Sequence, residues 1–248
     1  MNPIAHKVGE RRDAVRRGWP DNRFYFFMGW LIAVLVIYGF AHTIPPRLLH
    51  AAIPRPGILW VHAAVFFAWI GLFIVQTSLV RSRNVHWHRT CGVAILILGA
   101  VLALIGVTTS LEMARFNIAH NFHDSVYAAA FLSIPFNDML LFSGALAAAF
   151  WWRKHADVHR RLMLLATCLI TPAAFSRIPF AAVQAFHGYL GVDTLIAIGV
   201  AHDLVVHRRV HPVYVVSWPL VVLGQVVSTW LFLGRPDWWV EFARRLLG

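Results

Sequence analysis

VHWHRTCGVAILI, residues 85–97, places a His-Arg pair at the mouth of an unbroken apolar run. ADVHRRLMLLATC, residues 156–168, does the same seventy residues later. Apolar runs of this kind recur along the chain, roughly at 24–42, 58–80, 91–110, 128–152, 161–180, 189–206 and 212–233. Each is long enough to cross a bilayer, which takes about 20 residues of helix. The composition agrees: 59% of the 248 residues are hydrophobic and 13% are charged, where a soluble domain carries about a quarter. The expected fold is an all-α integral membrane protein with seven transmembrane helices.

The first apolar run follows a basic head, residues 1–23. It exceeds a signal-peptide core and no small-x-small site follows it, so it reads as a retained span. The short connections on one side carry Arg81, Arg83, Arg89, Arg153, Lys154, Arg160, Arg161, Arg208 and Arg209. The head adds Lys7, Arg11, Arg12, Arg16, Arg17 and Arg23. They outnumber Arg47, Arg55, Arg115, Arg235, Arg244 and Arg245 on the other side, so the head is expected inside and the tail outside. The net charge of +11 is therefore first a sign of topology and second an attraction to anionic lipid. Spread over several loops, it does not suggest nucleic acid as a partner. Trp19, Trp87, Trp151 and Trp152, with Trp60, Trp238 and Trp239 opposite, form expected interfacial belts.

One membrane domain is expected over 24–233, followed by an amphipathic tail, 234–248, lying in the outer interface. Cys91 and Cys168 fall at depths differing by roughly 9 Å at the helical rise, so no disulfide between them is expected. The recurrence of His-Arg before spans three and five, and of HRRVHP (207–212) before span seven, suggests a repeated two-span hairpin.

Histidine carries the chemistry, with fourteen in the chain. His62 in span two and His120 and His123 before span four lie toward the outer face; His88 of span three and His159 of span five lie at the inner face. A four-helix core from spans two to five, bearing histidines in this alternation, suits two bis-histidine b-type haems stacked across the membrane. His62 with His123 or His120 would ligate the outer one and His88 with His159 the inner one. Arg89 and Arg160 would pair with the propionates. A simpler reading makes each His-Arg pair an interfacial anchor, with Arg snorkelling to headgroups, and makes His62 a hydrogen-bonding residue between helices.

A second constellation is zinc-like. His207 and His211 are spaced i, i+4, as are His155 and His159, and could each share a helix face. His86, Asp157 and Asp203 lie on the same side, so a metal-dependent hydrolase is a further reading. The H-x-x-x-H resembles that of adiponectin-receptor and alkaline-ceramidase hydrolases, although the histidine of span two, His62, is at the opposite face. Within the spans, Asp138 and Arg177 are expected to form an ion pair or to mark a proton, quinone or transport site. Gln76, Asp193, Asp203 and Gln225 could line the same interior, and Pro172 and Pro179 are expected to kink span five.

His62, Gln76, HRTCG (88–92), HRRLM (159–163) and Arg177 together resemble a family of bacterial seven-span predicted membrane proteins of unknown function. The similarity covers about 60 to 180; HNFHDS (120–125) is outside the pattern. The resemblance implies a multi-pass protein of the bacterial inner membrane and no established activity. The order of histidine-bearing helices is also similar to that of transmembrane di-haem cytochromes b. That layout implies electron transfer with a quinone or redox protein as partner. A non-redox transporter, lipid-binding protein or assembly factor is the alternative.

Overall fold

The computed structural model describes residues 23–41 and 43–248. The basic head up to residue 22, with His6 and Trp19, and His42 lie outside the described residues, as do the side chains of Arg47 and His187. The described chain is helical. Helix α1 spans Arg23–Ala41. A π-helical turn at Pro45–Leu49 leads to α2 (Ile58–Arg81) and α3 (Val85–Ala119). Next come α4 (Ser125–Phe131), α5 (Ser133–Trp151), α6 (Ala156–Leu169), α7 (Pro172–Phe175) and α8 (Ala181–Gln184). A 3₁₀ turn at Ala185–Gly188 enters α9 (Tyr189–His207), followed by α10 (Pro212–Gly234) and α11 (Asp237–Leu247).

Six helical stretches among the described residues are long and apolar enough to cross a membrane: α1, α2, α3, α4 with α5, α9 and α10. Their limits follow the expected spans closely, except that α3 reaches well past 91–110 at both ends. The expected fifth span is not one helix. It stops at Leu169 and restarts at Pro172, whose missing N–H cannot continue the ladder. The Thr171 hydroxyl donates to the Cys168 carbonyl at 2.6 Å and satisfies one acceptor freed there.

Helix α6 is the centre of the packing. From Arg161 to Leu169 only Met163 is not buried, as expected of a helix surrounded on all sides. Its principal neighbour is α5, with α9 and α10 behind it. Around it the longer helices turn one face inward. On α2 that face is Trp69, Phe73 and Gln76; on α3 it is Gly99, Leu102, Gly106 and Thr109. Both sets follow the i, i+3, i+4, i+7 spacing of a helical stripe.

Lipid-facing helices gain little from apolar burial and associate through close packing and hydrogen bonds. Trp69, 2% exposed, stands edge-on to Phe142 and donates its indole N–H to Thr167 Oγ1 at 3.3 Å, tying α2 to α6. Gly39 of α1 lies against the backbone of α7, where a Cβ would sit 2.3 Å from the Ala174 carbonyl oxygen. Gly188 opens α9 with φ +84°, a left-handed conformation that glycine adopts without steric cost.

At one end of α6 an ion pair is fully buried. Arg161 donates through Nε to Asp203 Oδ2 at 2.9 Å and through Nη2 to Asp203 Oδ1 at 2.5 Å. Its Nη1 reaches the Asp157 carbonyl at 2.7 Å. Asp203 also accepts the His211 backbone N–H at 3.3 Å, so one carboxylate joins α6, α9 and the start of α10. At the other end, α11 packs on α4 through Trp239, Val240 and Ala243 and leaves Trp238 and Phe242 exposed. Arg115 caps the last turn of α11 by donating to the carbonyls of Leu246 and Leu247.

Candidate functional site

His88 and His159 meet. One lies on the first turn of α3 and the other on the first turn of α6, and their rings stand 6.4 Å apart, centroid to centroid, inclined at 76°. His159 is oriented by the Ala149 carbonyl, 2.8 Å from Nδ1. A carbonyl only accepts, so Nδ1 carries the proton and Nε2 keeps its lone pair. A metal-binding imidazole is commonly held this way by its other nitrogen.

His88 Nδ1 and both side-chain polar atoms of Gln76 are buried without a hydrogen bond. Gly92, one turn beyond His88 on the same side of α3, is half-exposed, and a Cβ there would meet no atom within 4 Å. Arg89 is exposed and Arg160 lies over the Tyr25 ring at 5.7 Å, so both guanidiniums flank this end of the bundle.

The outer histidines are arranged differently. His62 and His123 line one cavity of about 680 Å³, but no ring contact joins them among the described residues. His62 stacks on Phe66 at 4.0 Å and His123 on Tyr127 at 4.4 Å. His120 turns away, its Nδ1 donating to the Phe116 carbonyl at 2.8 Å. The cavity is bounded by α1, α2, α3, α5 and the α6–α7 break. Two prolines on its wall, Pro135 in the first turn of α5 and Pro172 at the first position of α7, each follow a break in the helical chain, at Leu132 and at Ile170–Thr171.

Asp138 and Arg177 both line this cavity but do not form the expected ion pair with each other. Asp138 accepts from the Tyr189 hydroxyl of α9 at 3.0 Å. Arg177 lies over the Phe40 ring at 4.8 Å and donates to the Ala173 carbonyl. The sequence indicates that both residues are deep but not the direction each faces around its helix.

The zinc-like spacing is not realised as one helix face. His207 ends α9, Arg208 turns left-handed with φ 58°, and His211 caps α10. His211 Nδ1 accepts the Val213 N–H at 3.2 Å, so its proton is on Nε2, which donates to Asp157 at 3.3 Å. Both nitrogens are thereby engaged. Burial first, then the charge of Arg161, holds His211 below the ordinary histidine range despite the pull of Asp157. Among the described residues no group of three or more His, Cys, Asp or Glu could hold a metal ion. Cys91 and Cys168 are both free thiols.

The buried pair Arg161–Asp203 was not among the expected site residues as a pair. In HRRLM the second arginine reads like a snorkelling anchor, and only the burial of both partners shows otherwise. No protein-family model, curated protein or solved structure matches the chain.

Proposed function

We propose that this membrane protein binds b-type haem between His88 and His159 and carries electrons across the bilayer. The observation that supports the reading is the spacing of those two rings. A metal held between two imidazoles by bonds of about 2 Å sets ring centroids about 6 Å apart, close to the 6.4 Å found. The fixed tautomer of His159, the open space before Gly92 and the unpartnered atoms of Gln76 and His88 fit a group seated there. Haem, when bound, supplies one-electron oxidation and reduction at iron. The chain's own residues orient the imidazoles and offer Arg89 and Arg160 to propionates.

The reading has a topology. The broken segment 156–188 makes a seventh crossing, the head lies in the cytoplasm of a bacterial cell and the tail outside. Spans two to five form the haem-bearing core, and a quinone or a redox protein exchanges electrons with it. Purified protein from haem-replete cells is expected to show a Soret band that shifts with dithionite, with sharp α and β bands. His88→Ala and His159→Ala, each still folded, are expected to lose them. A featureless spectrum from the native protein refutes the proposal.

A second reading rests on a separate observation. Helix breaks at membrane depth occur where irregular backbone is buried or lines a cavity, and such broken helices mark substrate sites in transporters. Pro135 and Pro172 place two of them beside Asp138. On this reading Asp138→Asn stops transport of a substrate and leaves the optical spectrum unchanged.

A further inference from the structure

The six long apolar stretches contain four acids: Glu112, Asp138, Asp193 and Asp203. Glu112 pairs with Arg115 and Asp203 with Arg161, and Asp138 lines the outer cavity under the Tyr189 hydroxyl. Asp193 belongs to none of these arrangements. It is half-buried on α9, at the seam with α10. Trp218 donates its indole N–H to Asp193 Oδ1 at 3.0 Å, and Gln225 Nε2 donates to the same oxygen at 3.5 Å. Asp193 Oδ2 accepts from no described residue, and no cation pairs with this carboxylate among the described residues.

Trp218 and Gln225 are the seventh and fourteenth of the 23 residues of α10. A carboxylate held between them therefore stands near the middle of the bilayer that α10 crosses. The surface around it is apolar: Leu190, Ile198, Val222 and Val226 are exposed. Beside it on α9, Thr194 and Ala201 are exposed and Ala197 is half-exposed. Such small side chains let a second helix approach closely.

We infer that this side of α9 and α10 docks a transmembrane helix of another protein, one that carries a lysine or arginine near mid-bilayer and sets it against Asp193 Oδ2. Acids inside a membrane pair with a cation or face a polar interior, and this one has an unfilled acceptor beside an apolar surface. A lipid tail offers no donor. A second copy of the chain placed here by a two-fold axis would set Asp193 against Asp193, which like charge opposes. A basic helix supplies both a donor and the opposite charge. Docking here is independent of haem at His88 and His159, and of transport through Asp138.

The test is energy transfer in lipid vesicles between the full chain, carrying a donor dye on its tail, and synthetic leucine-alanine transmembrane peptides carrying an acceptor. One peptide has a single central lysine and the other leucine at that position. The lysine peptide is expected to associate saturably, one per chain, and the leucine peptide to give only the transfer of random proximity. Asp193→Asn keeps an acceptor for Trp218 and is expected to weaken lysine-peptide binding about tenfold or more, the scale of a lost charged hydrogen bond. Asp193→Glu is expected to retain binding, and Ala197→Trp, which obstructs the face and spares the carboxylate, to block it. Asp138→Asn and His159→Ala are expected to bind normally. Docking at Asp193 is overturned if the two peptides associate alike, if folded Asp193→Asn binds the lysine peptide as the native chain does, or if native chains pair with one another through this face and leave the peptide no site.

Discussion

Removing Arg161 should be among the most damaging single changes in this chain. Arg161→Ala deletes two short bonds to Asp203, at 2.9 and 2.5 Å, and one to the Asp157 carbonyl at 2.7 Å. Asp203 is 0% exposed and would keep one hydrogen bond, 3.3 Å from the His211 N–H, with His202 Nδ1 3.9 Å away. A buried carboxylate stripped of its cation costs about 3–5 kcal/mol, far above the 0–1 kcal/mol or so of an exposed pair. The loss should be read from the free energy of unfolding in bicelles titrated with SDS. The same principle predicts a rescue: Arg161→Met with Asp203→Leu removes both charges and should recover most of the loss. A thermodynamic cycle over the two singles and the double isolates the coupling. A loss below about 1 kcal/mol for Arg161→Ala, or a double variant no more stable than either single, would refute the assignment of this pair as a buried pin.

Three further expectations follow from other contacts. Gly39→Ala places a Cβ 2.3 Å from the Ala174 carbonyl oxygen; backbone cannot rotate aside, so about 1–3 kcal/mol of stability should be lost, measurable in the same unfolding titration. Acidification should weaken the junction of α6 and α10. His211 is held below its ordinary pKa in the folded chain, so the unfolded chain takes up the proton first as pH falls. That contribution is complete above about pH 6.5 and declines as pH drops further; His211→Asn, which retains a capping acceptor, should flatten the decline in thermal stability between pH 7.5 and 5. Gly92→Leu should leave the fold intact, since the space before it is open, yet prevent acquisition of a Soret band; a variant with native absorbance would separate Gly92 from the proposed haem site.

Much of the fold was legible because lipid imposes one rule on every crossing. Helices α2 and α10 begin and end within a residue or two of the apolar runs at 58–80 and 212–233. Helix α3 was underestimated because His86, His88 and Arg89 read as a polar loop, whereas they form its first turn. The fifth span was overestimated for the opposite reason: 161–180 is continuous in hydropathy, but Pro172 divides its backbone. The approach of His88 to His159 was legible from the order and polarity of the helices. The partners of Asp138 were not, because hydropathy fixes depth and leaves azimuth open, and Tyr189 lies some fifty residues away.

The burial of Arg161 has a consequence for how the chain is made. As it leaves the ribosome, α6 carries an arginine, a broken backbone and too little apolar length to remain alone in lipid. Helix α5, already synthesised, can shelter it, but Asp203 is 42 residues further on. Until α9 emerges, this end of the bundle holds a cation without its Asp203 partner. The hairpin of α5 and α6 therefore gains its counter-ion only once α9 has been translated, so this part of the fold is completed late in synthesis.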